Sequence, residues 1–198
     1  MSTDPERRRF LGVLAATAAF SVSLPFLLRG TRPAVAAEAP PPATPGEVTL
    51  DCFAPDKKPL GACKEPRVVL TDAQWRAKLD PRAYVVTRQE GTERPYSGPG
   101  WNRHDNGIYR CIGCDTALFD SATKFDSGTG WPSFWQPISR RNVVQSDDRS
   151  LAFEDRTAIS CARCSAHLGH VFDDGPDPTG LRYCMNAVAM RFVPVSAA

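Results

Sequence analysis

Two Cys-x-x-Cys pairs constrain this chain more than any other feature. Cys111-Ile112-Gly113-Cys114 and Cys161-Ala162-Arg163-Cys164 are separated by 46 residues, and each closely follows a short apolar run. Four thiolates on two such knuckles suit the tetrahedral preference of zinc, with no open position for chemistry. Two other uses of the same residues have to be weighed. In an exported protein they can pair as disulfides, and a single Cys-x-x-Cys can be a redox pair. A redox pair is one motif opening a helix, whereas here two equivalent pairs follow strands. The expectation is a closed structural zinc site at Cys111, Cys114, Cys161 and Cys164.

The segments around the knuckles read as short strands broken by Gly, Pro, Asn and Asp. Gly107–Cys111, Val143–Gln145, Leu151–Phe153, Ala158–Cys161 and the run from Leu181 to Val195 are the candidates. One helix is expected, opened by Thr71-Asp72-Ala73-Gln74, with a capping residue and Gln three positions on. Trp75, Leu79 and Ala83 give it an apolar face, and Pro81 ends it. The chain is therefore expected to be mainly β, with one short N-terminal helix.

The first 36 residues look like an address. Arg7-Arg8-Arg9-Phe10-Leu11 precedes an apolar run from Gly12 to Leu28, and Ala34-Val35-Ala36 is a small-residue cleavage pattern. That is the form of a twin-arginine-type export signal, so a periplasmic or otherwise extracytoplasmic location is expected. The alternative is an uncleaved anchor, and only then a membrane association, but the run is rich in Ala, Ser and Thr and contains Pro25. Removing residues 1–36 takes away five arginines and two acidic residues, so the formal charge of +2 becomes −1. Such a charge gives no case for nucleic acid. Residues 37–66 form a Pro-rich linker and a tail carrying Cys52 and Cys63, and 67–198 form the domain.

The chain has seven cysteines. Setting aside the four of the knuckles leaves Cys52, Cys63 and Cys184. If Leu181–Val195 is a strand, Arg182, Cys184 and Asn186 point the same way. A guanidinium and an amide beside a thiol favour and orient a thiolate. A buried, inert core cysteine is the competing use. His167-Leu168-Gly169-His170 lies three residues beyond the second knuckle, so the metal would anchor it, and a Cys with a nearby His is a nucleophile–acid pairing. Either His is otherwise a metal ligand or a polar loop residue. Gly128-Thr129-Gly130-Trp131-Pro132-Ser133-Phe134 is a glycine-rich turn that places Trp131 at an apolar pocket wall or in the core.

Four longer segments resemble the type B methionine sulfoxide reductases: 90–98 (EGTERPYSG), 123–134 (TKFDSGTGWPSF), 167–176 (HLGHVFDDGP) and 182–186 (RYCMN). The resemblance covers about Leu70 to Pro194. It implies two antiparallel sheets in a barrel-like domain and an enzyme that reduces the R epimer of methionine sulfoxide in peptides, with the free amino acid open as a second substrate. By the resemblance Cys184 is the catalytic cysteine, Trp131 receives the methyl group, and His167, His170, Asp174, Arg182 and Asn186 complete the site. The implied partners are oxidised proteins or peptides and a thioredoxin-like reductant, with the enzyme a monomer. One departure stands out. Many members carry a resolving cysteine where this chain has Thr129. Three routes stay open: Cys52 or Cys63 reaches Cys184, those two pair with each other, or an external thiol acts directly. Two rival classes are a zinc-bearing binding module and a secreted disulfide oxidoreductase.

Overall fold

A computed structural model describes residues 46–149 and 156–195. The export-signal segment and the Leu151–Phe153 strand lie outside the described residues. The chain opens with a hairpin, β1 (Glu47–Phe53) and β2 (Pro59–Pro66), and continues through α1 (Asp72–Lys78) and α2 (Pro81–Gln89). Among the described residues nine strands follow: β3 (Gly107–Cys111), β4 (Ala117–Asp120), β5 (Lys124–Phe125), β6 (Ser133–Phe134), β7 (Val143–Asp148), β8 (Arg156–Cys161), β9 (His167–Phe172), β10 (Arg182–Met185) and β11 (Met190–Pro194).

The expected mainly β architecture is present, and every strand pairing is antiparallel. The details differ. Beside the β1-β2 hairpin there is a six-stranded sheet, β5-β6-β10-β9-β8-β7, and a three-stranded sheet, β11-β3-β4. Among the described residues these sheets do not close into a barrel. The single expected helix is two helices, and a hairpin precedes them.

The helix pair shows how one residue can be misread. Thr71 caps α1 in a reciprocal capping box with Gln74, as the sequence predicts. Pro81 does not merely end that helix. Asp80 accepts from the Arg82 N–H as an N-cap, and Pro81 is the first residue of α2. A proline lacks an N–H that the first helical position would not use, so it starts a helix as readily as it stops one. Ala83 is buried, but on α2 rather than on the face of Trp75 and Leu79.

The run from Leu181 to Val195 is likewise not one strand. A 3-10 turn at Ala187–Ala189 divides it, sending β10 to the six-stranded sheet and β11 to the three-stranded one. Between the sheets Phe119 stacks on Phe134 with ring centroids 4.4 Å apart, and Tyr109 meets Phe134 edge-on. Phe134 is fully buried, as expected of a core aromatic, whereas Trp135 is only half-buried.

Residues 47–66, anticipated as a tail, are two paired strands joined by a Cys52–Cys63 disulfide. Asn142, fully buried, docks this hairpin: its side chain donates to Asp51 O (2.9 Å) and Ala117 O (2.8 Å) and accepts from Asp51 N (2.9 Å). Among the described residues no helix is long and apolar enough to cross a membrane.

Candidate active site

The knuckles close two hairpins in the same way. Cys111 ends β3 and Cys161 ends β8, and each turn leads into the partner strand. In the first, Cys111 N–H donates to Thr116 O and Asp115 N–H to Cys111 O. In the second, Cys161 N–H donates to Ala166 O and Ser165 N–H to Cys161 O. Asp115 and Ser165 both take positive φ, 65° and 54°. The two turns face each other: Cys111 Sγ lies 3.6 Å from Cys164 Sγ, and Cys114 Sγ lies 3.4 Å from Cys161 Sγ. All four sulfurs fall within 4.8 Å of one another and none is disulfide-bonded. A tetrahedral ion with metal–sulfur bonds of about 2.3 Å would place its ligands about 3.8 Å apart, so the donor set fits a four-thiolate metal site. The ion would join the two sheets and fix the start of β9 at His167.

Cys184 sits on β10 between β6 and β9, opposite Ser133 on one side and His170 on the other. Directly opposed residues share a sheet face, so Ser133, Cys184 and His170 form one row. Gly169 makes this approach possible. A Cβ there would lie 2.1 Å from the Cys184 carbonyl oxygen, so no larger residue fits between Leu168 and His170. The next row holds Arg182 opposite Phe172, with the guanidinium 4.3 Å from the ring centroid. Asp174 fixes Arg182 through two hydrogen bonds of 2.8 Å, and its carboxyl is held below the usual range by that guanidinium.

Cys184, Trp131, His170 and Asn186 line one cleft of about 140 Å³, with Phe172 and Arg156 alongside. Burial raises the Cys184 thiol pKa, and the Arg182 charge and contacts to Thr129, Arg182 and Ser133 only partly offset this. Thr129 Oγ1 lies 4.0 Å from the sulfur and is held through Ser127, which also bonds Ser133. A mostly protonated thiol at neutral pH therefore faces a cleft with an aromatic wall and an imidazole.

The two histidines part company. His170 lines the cleft and its Nε2 is 2.7 Å from Asp148 Oδ2, which also accepts from Arg156 at 2.8 Å. His167 lies behind it, ring centroids 5.2 Å apart, and lines a separate hollow with Glu90, Asp147 and Asp148. Its Nε2 is buried without a hydrogen-bond partner, and burial, reinforced by His170, pushes its pKa down to about 4. It is neutral at physiological pH.

Cys52 and Cys63 are not poised at Cys184. They are bonded to each other, and their hairpin is tied to the metal end: Arg163 pairs with Glu65 (2.7 Å) and donates to Cys114 O, and Arg110 donates to Phe53 O. Of the three routes left open by the sequence, the structure shows the mutual pairing, and not the one in which Cys52 or Cys63 meets Cys184. All seven cysteines are thereby placed, with no free thiol beside Cys184 outside the four-cysteine cluster.

One residue of the site escaped the sequence reading. Glu93 is buried, its N–H donates to Asn186 Oδ1 (2.9 Å), and its carbonyl accepts from Trp131 Nε1 (3.0 Å). Its carboxylate accepts from Ala187 N (2.6 Å) and Val188 N (3.1 Å), at the turn that divides β10 from β11. Burial raises its pKa against the pull of those two N–H groups. The available signal was the segment 90–98, which reads as a polar loop until its partners are known.

Comparison with known proteins points the same way as the geometry. The SelR domain family profile matches residues 79–194. "Peptide methionine sulfoxide reductase B1, chloroplastic" from Arabidopsis thaliana is 55% identical over 122 residues, covering 62% of this chain and 60% of that protein. Its counterpart in Oryza sativa subsp. japonica is 57% identical over 122 residues, 62% of this chain and 56% of the relative. "Peptide methionine sulfoxide reductase MsrB" from Agrobacterium fabrum is 52% identical over 130 residues, 66% of this chain and 96% of the relative. The chain thus spans less than two thirds of the plant relatives it matches and nearly all of the bacterial one. With the profile covering the domain that holds both knuckles and Cys184, this chain belongs to the MsrB family of peptide methionine sulfoxide reductases.

Proposed function

We propose that this protein reduces the R epimer of methionine sulfoxide, in proteins and as the free amino acid, and so repairs oxidised proteins. The observation that carries the reading is the shared cleft: a nucleophilic sulfur, an imidazole, an amide and an indole wall within one small hollow. The indole receives the apolar methyl group, and His170 faces the sulfoxide oxygen. Asp148 fixes the orientation of its ring. Cys184 gives its proton to His170 and its sulfur bonds to the sulfoxide sulfur, while His170 passes a proton on to the oxygen. The hydroxyl then passes to the Cys184 sulfur as the substrate S–O bond and the new S–S bond break, and methionine leaves. Cys184 retains the oxygen as a sulfenic acid, so the thiol has been oxidised by two electrons and the sulfoxide reduced by two. General-acid assistance of this kind typically contributes about 10²–10⁴-fold in rate. Arg182, held by Asp174, lowers the cost of the thiolate, and Asn186 secures the end of β10. His167, neutral and set behind the cleft, supports His170.

Regeneration uses an external thiol from a thioredoxin-like partner. One thiol condenses with the sulfenic acid, releasing water and forming a mixed disulfide; a second releases Cys184 and leaves the partner oxidised. The four-cysteine cluster holds structural zinc and takes no part in these steps. Residues 1–36 export the protein, and the Cys52–Cys63 disulfide accords with an oxidising compartment. The enzyme is monomeric and binds no nucleic acid.

The deciding experiment is a stereospecific assay with both epimers and a dithiol reductant. Consumption of the R epimer, abolished in Cys184→Ala, is expected. Consumption of the S epimer alone would overturn the proposal.

A further inference from the structure

We infer that Glu93 is a positioning residue that sets the indole wall of the cleft against Cys184; this rests on the reductase reading above. Three features of the structure combine. First, Glu93 does not line the cleft, so its carboxylate does not touch substrate. Second, every polar group of this residue is spent on the site's frame. The carboxylate grips Ala187 N–H and Val188 N–H, three and four residues after Cys184. That grip fixes the backbone of Glu93, whose N–H holds Asn186 and whose carbonyl holds the Trp131 indole. One residue therefore links the pocket wall to the end of the nucleophile's strand. Third, the space for the carboxylate is built in. A Cβ on Gly98 would lie 2.5 Å from Glu93 Oε1 and 2.5 Å from the Ala187 Cβ, so the strap 90–98 passes close by only because Gly98 has no side chain.

None of the groups that tune the Cys184 sulfur (Arg182, Thr129 and Ser133) is hydrogen-bonded to Glu93. The groups that tune the sulfur are thus distinct from those that hold the wall. Losing the charge-assisted grip should let Trp131 drift, weakening substrate capture while leaving the thiol's own reactivity alone.

The test compares wild type, Glu93→Gln, Glu93→Asp, Trp131→Phe and the Glu93→Gln/Trp131→Phe double variant. Three quantities are read: KM and kcat with methionine-R-sulfoxide, the iodoacetamide alkylation rate of Cys184, and the Trp131 emission obtained by subtracting the Trp131→Phe spectrum. For Glu93→Gln we expect KM to rise about tenfold or more, the loss of roughly one charge-assisted hydrogen bond. Alkylation should stay within about twofold, since its neighbours are untouched. Trp131 emission should shift to the red, and the KM effect should largely vanish in the Trp131→Phe background. Glu93→Asp keeps the charge one methylene short and should fall between; it is read in place of Glu93→Gln if the latter does not fold. Unchanged KM and emission, or a parallel loss of KM, kcat and alkylation, would overturn the inference. If wild type consumes no sulfoxide, the reductase reading fails separately, and an unshifted emission then overturns the positioning role while a red shift upholds it.

Discussion

The disulfide in the first hairpin offers a sharp test, because stability should fall on its removal while catalysis should not. Cys52 and Cys63 are 11 residues apart in sequence. Closing a loop of that size removes denatured-chain entropy worth about 3 kcal/mol in the loop-closure treatment. For a domain of this size, that corresponds to a fall in Tm of about 6–12 °C for the Cys52→Ser/Cys63→Ser variant. The folded hairpin should persist, since Asn142 makes three hydrogen bonds to Asp51 and Ala117 and Arg163 pairs with Glu65. Turnover at 25 °C with dithiothreitol should therefore match wild type. Thiol counting after one reductant-free turnover gives the second reading. Both proteins should lose one titratable thiol per methionine formed, the one on Cys184. If wild type loses two and the double variant one, a tail cysteine resolves Cys184 and the assignment of these residues as a structural clamp is wrong. A variant with an unchanged Tm would refute the energetic part alone.

Three further outcomes follow from the site. Because burial raises the Cys184 pKa, its alkylation rate should keep climbing with pH through about 9, the ordinary thiol range, rather than level off near neutrality; a plateau at pH 7 would contradict this. The pKa of His167 drops from 6.5 unfolded to about 4 folded, so between those values the unfolded chain binds more protons. Stability should fall by up to about 3 kcal/mol as pH drops from 6.5 to 4, and His167→Gln should flatten that stretch in pH-dependent urea melts. The purified protein should carry one zinc per chain by elemental analysis, and Cys111→Ser or prolonged chelation should lower Tm and remove activity together, because ligand binding and folding are coupled; full activity after metal removal would argue against a structural site.

Particular residues show how far the sequence could be read. The knuckles were legible because four cysteines in two identical turns specify their own geometry within a few residues. Cys184, Arg182 and Asn186 were legible through the alternation of a strand, and their placement on β10 bears out that pattern for Arg182 and Cys184. Pro81 was not, because the same locked φ both stops one helix and starts the next. The break after Met185 was also hidden. Nothing local in Asn186-Ala187-Val188-Ala189 demands a 3-10 turn; it is stabilised by the carboxylate of Glu93, more than ninety residues earlier. The two histidines were indistinguishable in sequence, being separated only by Leu168 and Gly169.

What the chain states locally is therefore ligand chemistry, turn chemistry and the periodicity of strands. From these came the four-cysteine site, the mainly β class and Cys184 as a candidate nucleophile, with a buried core cysteine as the competing use. What tertiary structure decided is which distant groups meet. It paired Cys52 with Cys63, set His170 rather than His167 in the cleft, gave Asp148 to His170, and put Glu93 beneath the indole. The physical reason is range. Propensity and metal-ligand spacing act over a few residues, whereas partners across a sheet depend on strand register and long-range packing, which no short stretch of sequence encodes.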